Sequence, residues 1–213
     1  MSNKRVIEYY AKTAASAGQD YEAAGLQDEL AQLRGRVQQL MRGHVVLELA
    51  CGGGYWTGAI AQVCDTLLAT DVNPALIELA RERLAHDAVR WSVVDALDIP
   101  AELGEFSAVF IGFLWSNLVR DEQERLLAQL RKRVGKDVLL VMLDDVQAEE
   151  ESVARTDMQG NTFQIFVSPD GERYELPKNF PSDSALRKRL SPAVREIKIE
   201  RTEHYWLATC RLK

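Results

Sequence analysis

The rhythm of apolar and polar positions changes twice along this chain, dividing it into three regions. Between Asn3 and Met41 apolar side chains recur at helical spacing, as in Leu26, Leu30, Leu33, Val37 and Leu40. Steps of three and four residues keep them on one face, which predicts two or three helices broken near Gly18 and Gly25. From Val45 onward, short continuous apolar runs alternate with amphipathic ones. The runs Val45–Leu49, Thr66–Thr70, Val89–Val94, Ser107–Gly112 and Asp137–Leu143 read as buried strands. Tyr55–Val63, Ala75–Leu84 and Arg120–Val134 read as helices, the last with an acidic start, a basic end and Gly135 to stop it. Strands apolar on both faces, with helices between them, predict an α/β fold with a mostly parallel sheet. After Asn161 the rhythm becomes that of a hairpin: Thr162–Val167, a turn at Ser168-Pro169-Asp170-Gly171, and Glu172–Leu176. A helix, Asp183–Leu190, and one long final strand, Glu196–Leu212, complete the reading.

The first strand carries an oddity. Glu48 puts a carboxylate inside a buried run, which is costly unless something satisfies it. Directly after it come Ala50-Cys51-Gly52-Gly53-Gly54 and a helix start. Strand, glycine turn, helix is the layout that brings backbone N–H groups up to a ligand. A nicotinamide dinucleotide turn wants G-x-G-x-x-G, and Thr57 stands where the third glycine belongs. Asp71 closes the second strand about 20 positions past the glycines, where a carboxylate can take both hydroxyls of a ribose. Asn73-Pro74 then opens a helix, with proline in its first turn.

The pattern Glu48-x-Ala50-x-Gly52-x-Gly54, with Thr70-Asp71-Val72-Asn73-Pro74 behind it, resembles motifs I and II of the class I S-adenosylmethionine-dependent methyltransferases. The resemblance covers roughly Val45 to Leu143. It implies a doubly wound, Rossmann-like, seven-stranded sheet in three layers α/β/α, mostly parallel with an antiparallel late strand brought in by a late hairpin. It implies S-adenosyl-L-methionine as cofactor, held by Glu48, Ala50, Cys51, Gly52, Gly54 and Trp56, by Asp71 and Val72 at ribose and adenine, by Asp95 and Ala96 at the adenine, and by Phe113. Asp98 lies near enough to Asp95 to be confused with it in register. Tyr9, Tyr10 and Tyr21 resemble the tyrosine-bearing N-terminal lid of small bacterial stand-alone members, which closes over cofactor and substrate, and the resemblance implies cofactor contact for all three. They also suit rings that staple the first helix to the core. On this reading 1–213 is one methyltransferase domain: a helical lid over 1–42, a cofactor-binding core over 43–145, and a substrate side over 146–213.

Methyl transfer asks mainly for alignment and exclusion of water, and needs an acid or base only if the nucleophile arrives protonated. Candidates for that group are His204, Tyr21 and Asn117; Trp115, Asp144 and Tyr205 are candidates for substrate contact. Lys178 and Asn179 sit in a loop that could fold over a substrate. No metal is expected: Asp144 and Asp145 are half of a catechol-type carboxylate set, and Ser116 and Asn117 stand where the other half belongs. Composition narrows the partner. A net charge of −6 opposes a simple polyanion binder, so a small-molecule acceptor is favoured over nucleic acid. An RNA or protein acceptor, an NAD(P)-dependent oxidoreductase and a non-catalytic cofactor-binding protein remain as alternatives. Three cysteines without C-x-x-C spacing, and no apolar run near the roughly 20 residues of a membrane span, predict a cytoplasmic protein.

Overall fold

The computed structural model describes residues 2–14, 26–84, 86, 88–147 and 153–213 of the chain. Helices α1 (Ser2–Lys12) and α2 (Gln27–Met41) precede β1 (Val45–Leu49), α3 (Tyr55–Ala61), β2 (Thr66–Asp71), α4 (Pro74–Arg83) and β3 (Val89–Val93). Then come β4 (Ala108–Gly112), a single 3-10 turn at Trp115–Asn117, α5 (Arg120–Arg133) and β5 (Leu139–Asp145). The final third holds β6 (Arg155–Thr156), β7 (Thr162–Val167), β8 (Arg173–Pro177), α6 (Asp183–Leu190), β9 (Val194–Arg201) and β10 (Tyr205–Leu212).

Seven strands form one sheet in the order β3-β2-β1-β4-β5-β10-β9. The first five run parallel; β10 lies antiparallel to β5 and to β9. Successive residues of β1 serve opposite faces: Leu47 and Leu49 join Leu126, Leu130, Leu186 and Leu190 of α5 and α6, whereas Val46 joins Leu30, Val37 and Ile60 of α2 and α3. That alternation is the period of two of a pleated strand, and it gives three layers. Each such side chain, fully buried, contributes about 1.5–3 kcal/mol. Helix starts follow local chemistry. The Asn73 side chain accepts the Ala75 N–H at 3.0 Å ahead of Pro74, and Glu122 accepts the Val119 N–H at 3.0 Å.

Two expectations need correction. The stretch Glu196–Leu212 is two strands folded back at Thr202–His204, where the Thr202 hydroxyl bonds to Tyr205 through both its N–H and its C=O. This is the hairpin that inserts β10 between β5 and β9. The hairpin at Thr162–Leu176 joins no strand of the main sheet; β6, β7 and β8 form a separate antiparallel sheet. Helix α1 lies on that small sheet. The Tyr9 ring stands 5.3 Å from Phe166 and 5.5 Å from Tyr174, and Lys12 pairs with Asp170 and Glu172 at 2.8 and 2.6 Å.

Candidate cofactor and acceptor site

The strand order reverses between β1 and β4, so the segments leaving their carboxyl ends diverge and open a crevice there. Both strands end in a non-glycine residue with left-handed dihedrals, Ala50 at φ 58° and Phe113 at φ 56°. Such conformations are uncommon and concentrate at functional sites. Gly52 (φ 54°) and Gly54 (φ 86°) continue the turn; the left-handed backbone at Gly54, with Ala80 Cβ 3.0 Å from where a Cβ would stand, favours glycine there.

Glu48 is 1% exposed, and its Oε2 has no hydrogen-bond partner among the described residues. Burial pushes its carboxyl up to about 8; the Thr57 side chain opposes the rise and the charge of Asp71 adds to it. A buried acceptor left so is a demand for a donor from outside the chain. Beside it, burial and the charges of Glu48 and Asp71 push the Cys51 thiol up, away from a reactive thiolate. Asp71 fastens the turn: Oδ2 accepts the Gly52 N–H at 3.0 Å and Oδ1 the Asn73 N–H at 2.8 Å. Its pKa is raised by burial, against those two hydrogen bonds.

A narrow cleft of about 40 Å³ runs along this edge, lined by Ala50, Val72, Asp95, Ala96 and Leu114 among others, with Asn3 of α1 at its rim. Asp95 accepts the Leu97 N–H at 2.8 Å, an Asx turn that holds the wall, while Asp98 is exposed and outside the lining.

A second polar group lies at the carboxyl ends of β4 and β5. Asp144 is 0% exposed; Oδ2 accepts the Ser116 N–H at 2.8 Å and Oδ1 the Asp145 N–H at 2.9 Å. Burial raises its pKa, with Lys178 opposing and Asp145 adding to the rise. The Lys178 ammonium pairs with Asp145 and donates to Ser116 Oγ at 3.1 Å. Burial would lower its pKa, but the carboxylates of Asp145 and Asp144 outweigh that and raise it. The buried amide of Asn117 donates to the Phe113 carbonyl at 2.7 Å and takes a long hydrogen bond, 3.5 Å, from the Tyr10 hydroxyl. Asn179 locks the layer from above, donating to the Ser116 and Leu118 carbonyls at 3.2 and 3.0 Å.

Residues 46–137, the glycine turn and the strands around it, match the sequence model of the family described as "Methyltransferase domain". Over that stretch the chain is similar to methyltransferase domains. Among curated proteins, the demethylmenaquinone methyltransferase of Clavibacter sepedonicus is 36% identical over 78 residues, 36% of this chain and 32% of that protein. The protein-L-isoaspartate O-methyltransferase of Nitrobacter winogradskyi is 30% identical over 99 residues, 45% of this chain and 42% of its own length. The chain thus spans less than half the length of these two relatives. The solved DhpI–SAM–HEP complex superposes with a TM-score of 0.78 at 22% identity, covering 99% of this chain and 97% of that one. At that identity the likeness is one of fold, the class I methyltransferase fold.

Within this fold the expected residues fall into distinct places. Glu48, Ala50, Gly52, Gly54, Asp71, Val72, Asp95 and Ala96 gather at the carboxyl edge of β1, β2 and β3. Trp56 is buried in a row of rings, 5.9 Å from Phe110 and 6.5 Å from Phe113, and Phe113 continues it to Tyr205 at 5.9 Å. Tyr9 fastens α1 to β7 and β8, Tyr10 reaches the β4–β5 group, and Tyr21 lies outside the described residues. Trp115, 1% exposed, packs in the core beneath α5 and α6. His204 sits on the β9–β10 turn, where Glu29 of α2 holds both its backbone N–H (3.0 Å) and Nδ1 (2.7 Å). Asn3 has no role in the sequence reading, which weighs Ser116 and Asp145 only as parts of an incomplete metal set and Lys178 only as part of a loop over the substrate. A Lys-Asn pair ahead of Phe-Pro was the available signal for Lys178, but nothing local places it against β5. Among the described residues, no helix is long and apolar enough to cross a membrane.

Proposed function

We propose that this chain is an S-adenosyl-L-methionine-dependent methyltransferase that acts on a small polar acceptor. The observation that carries this reading is the unpartnered Oε2 of the Glu48 carboxyl, buried at the end of β1 beside the glycine turn. An amino-acid ammonium group, directly or through a water, supplies the donor it lacks. The remaining residues fit the same ligand. Asp71 keeps lone pairs beyond its two backbone hydrogen bonds for ribose hydroxyls. The cleft wall of Val72, Asp95, Ala96 and Leu114 offers apolar faces and a carboxylate to an adenine. DhpI, of like fold, was solved in a complex with SAM.

When bound, the cofactor supplies an electrophilic methyl group on a sulfonium. The chain's own part is to align and to dry the site. Helix α1 covers the cleft with Asn3 and brings Tyr10 to the β4–β5 group. Lys178, Asp145, Asn117 and Tyr10 present a cation, a carboxylate, an amide and a hydroxyl to the acceptor, a set suited to a compact polar molecule. Cysteines 51, 64 and 210 are all free thiols, which suits a cytoplasmic location.

A calorimetric titration with S-adenosylhomocysteine, run beside NAD, tests the cofactor. Binding of the former alone is expected; binding of NAD alone, or of neither, defeats the proposal. Labelled methyl transfer to a panel of small hydroxy, amino and carboxylic compounds then tests the acceptor class. Transfer to RNA or protein alone would reassign the acceptor.

A further inference from the structure

A larger cleft lies on the other side of the Trp115 turn, between α5 and α6, and shares no lining residue with the cofactor cleft. It holds about 740 Å³ and continues past Arg120 and Arg189 into a smaller one of about 180 Å³ toward Phe180. Its lining has two characters. Leu127, Ala128, Ala185, Pro192 and Ala193 give an apolar floor; Arg120, Arg131, Lys188 and Arg189 stand around it against a single carboxylate, Glu124. Among the described residues none of these four cations has a salt bridge. In a chain with a net charge of −6, that concentration of unpaired positive charge is a local inversion.

Of the two central guanidiniums, that of Arg189 is tied by a hydrogen bond and that of Arg120 lies against the backbone. Arg189 donates at 3.2 Å to the side-chain oxygen of Gln123, a buried amide itself pinned by hydrogen bonds of 3.1 Å to the carbonyls of Trp115 and Leu118. Arg120 has its backbone N–H on Asn161 Oδ1 at 2.9 Å, and its guanidinium lies against Gly160, where a Cβ would stand 2.7 Å from Nη2. The pKa of Arg189 is lowered by burial and by the like charge of Arg120, with Glu124 opposing. Two preorganised like charges repel until an anion comes between them.

We propose that this cleft is a second binding site, for a small organic anion that lays an apolar body on the floor and sets a carboxylate or phosphate head between Arg120 and Arg189. It is independent of the cofactor and acceptor assignments. The probe is 1-anilinonaphthalene-8-sulfonate, an aromatic body with one anionic head, followed by fluorescence, with benzoate and phenyl phosphate as competitors. Saturable binding is expected, weakened about tenfold or more in R120Q/R189Q and by added salt. Ala128→Glu places a carboxylate at the exposed wall of the cleft without touching either arginine, and should weaken the probe comparably. It decides the matter if the double variant does not fold, with circular dichroism and thermal unfolding as the fold control. The competitor that displaces the probe more strongly identifies the head group. Equal probe affinity in wild type and Ala128→Glu, or failure of both competitors to displace it, overturns the proposal.

Discussion

Glu48 and Asp144 are both buried carboxylates at the same edge of the same sheet, yet their surroundings differ in kind. Asp144 is fully provided for: two backbone N–H groups reach its oxygens and the Lys178 ammonium stands close by. Glu48 has an oxygen with no partner and holds its proton up to about 8. The β5 end is therefore organised by the chain alone, whereas the β1 end is completed only by something that binds. A buried carboxyl whose oxygens are all satisfied stands without a ligand, and one with an oxygen left over marks a place where a ligand completes it.

The comparison is sharpest where a partner is removed. Lys178→Met leaves Asp144 and Asp145 facing each other without a cation, and should lower unfolding free energy by about 3–5 kcal/mol. Thermal and urea unfolding measure it, and adding Asp145→Asn should restore part of the loss. A Lys178→Met protein as stable as wild type would remove the distinction between the two ends. Glu48→Gln should do the reverse. Stability should hold or rise at alkaline pH, while S-adenosylhomocysteine affinity drops by about 100-fold, or about 2.7 kcal/mol, in a calorimetric titration.

The pH dependence follows from the same carboxyl. The native protein keeps the Glu48 proton to about 8, and an unfolded chain releases it at ordinary carboxylate values. Its contribution to stability is thus fully present at acid pH and is lost as pH rises toward 8. Binding an ammonium group needs the ionised form, so affinity should climb with pH by up to about tenfold per unit below 8, and Glu48→Gln should flatten the profile. Asp71→Ala should weaken cofactor binding by about tenfold, with the ribose contact and the Gly52 tie lost together. The smallest effect belongs to His204, which serves neither end. His204→Ala should change stability by about 1 kcal/mol and leave S-adenosylhomocysteine affinity where it was.

What could be read in the residues beforehand divides along the same line. The β1 end is written in consecutive positions, because a turn that needs glycine at one φ and a carboxylate at the next strand's end leaves marks at fixed spacing. The helices were legible too: Asp183–Leu190 was read with the bounds it has, and α5 to within a residue. The β5 end was not legible, since Lys178 comes 33 residues after Asp145 and only the placement of the small sheet brings them together. The missed break in the last strand has a local cause. The turn at Thr202–His204 contains neither glycine nor proline and is closed by a threonine hydroxyl, so the usual punctuation was absent. The hairpin over Thr162–Leu176 was seen, but which sheet a hairpin joins is decided by long-range pairing that no local pattern carries.

The insertion of β10 has a kinetic consequence. The strand that comes last in order along the chain lies inside the sheet, and β9 pairs with β10 alone. Until Tyr205–Leu212 is in place, β5 presents an open edge and β9 has nothing to join. During synthesis β1 to β5 can assemble as they emerge, but the sheet cannot close before β6, β7 and β8, which belong to the other sheet, have been passed over and β10 delivered. That long-range closure is slow by its topology, and the exposed β5 edge is where premature association between chains would begin.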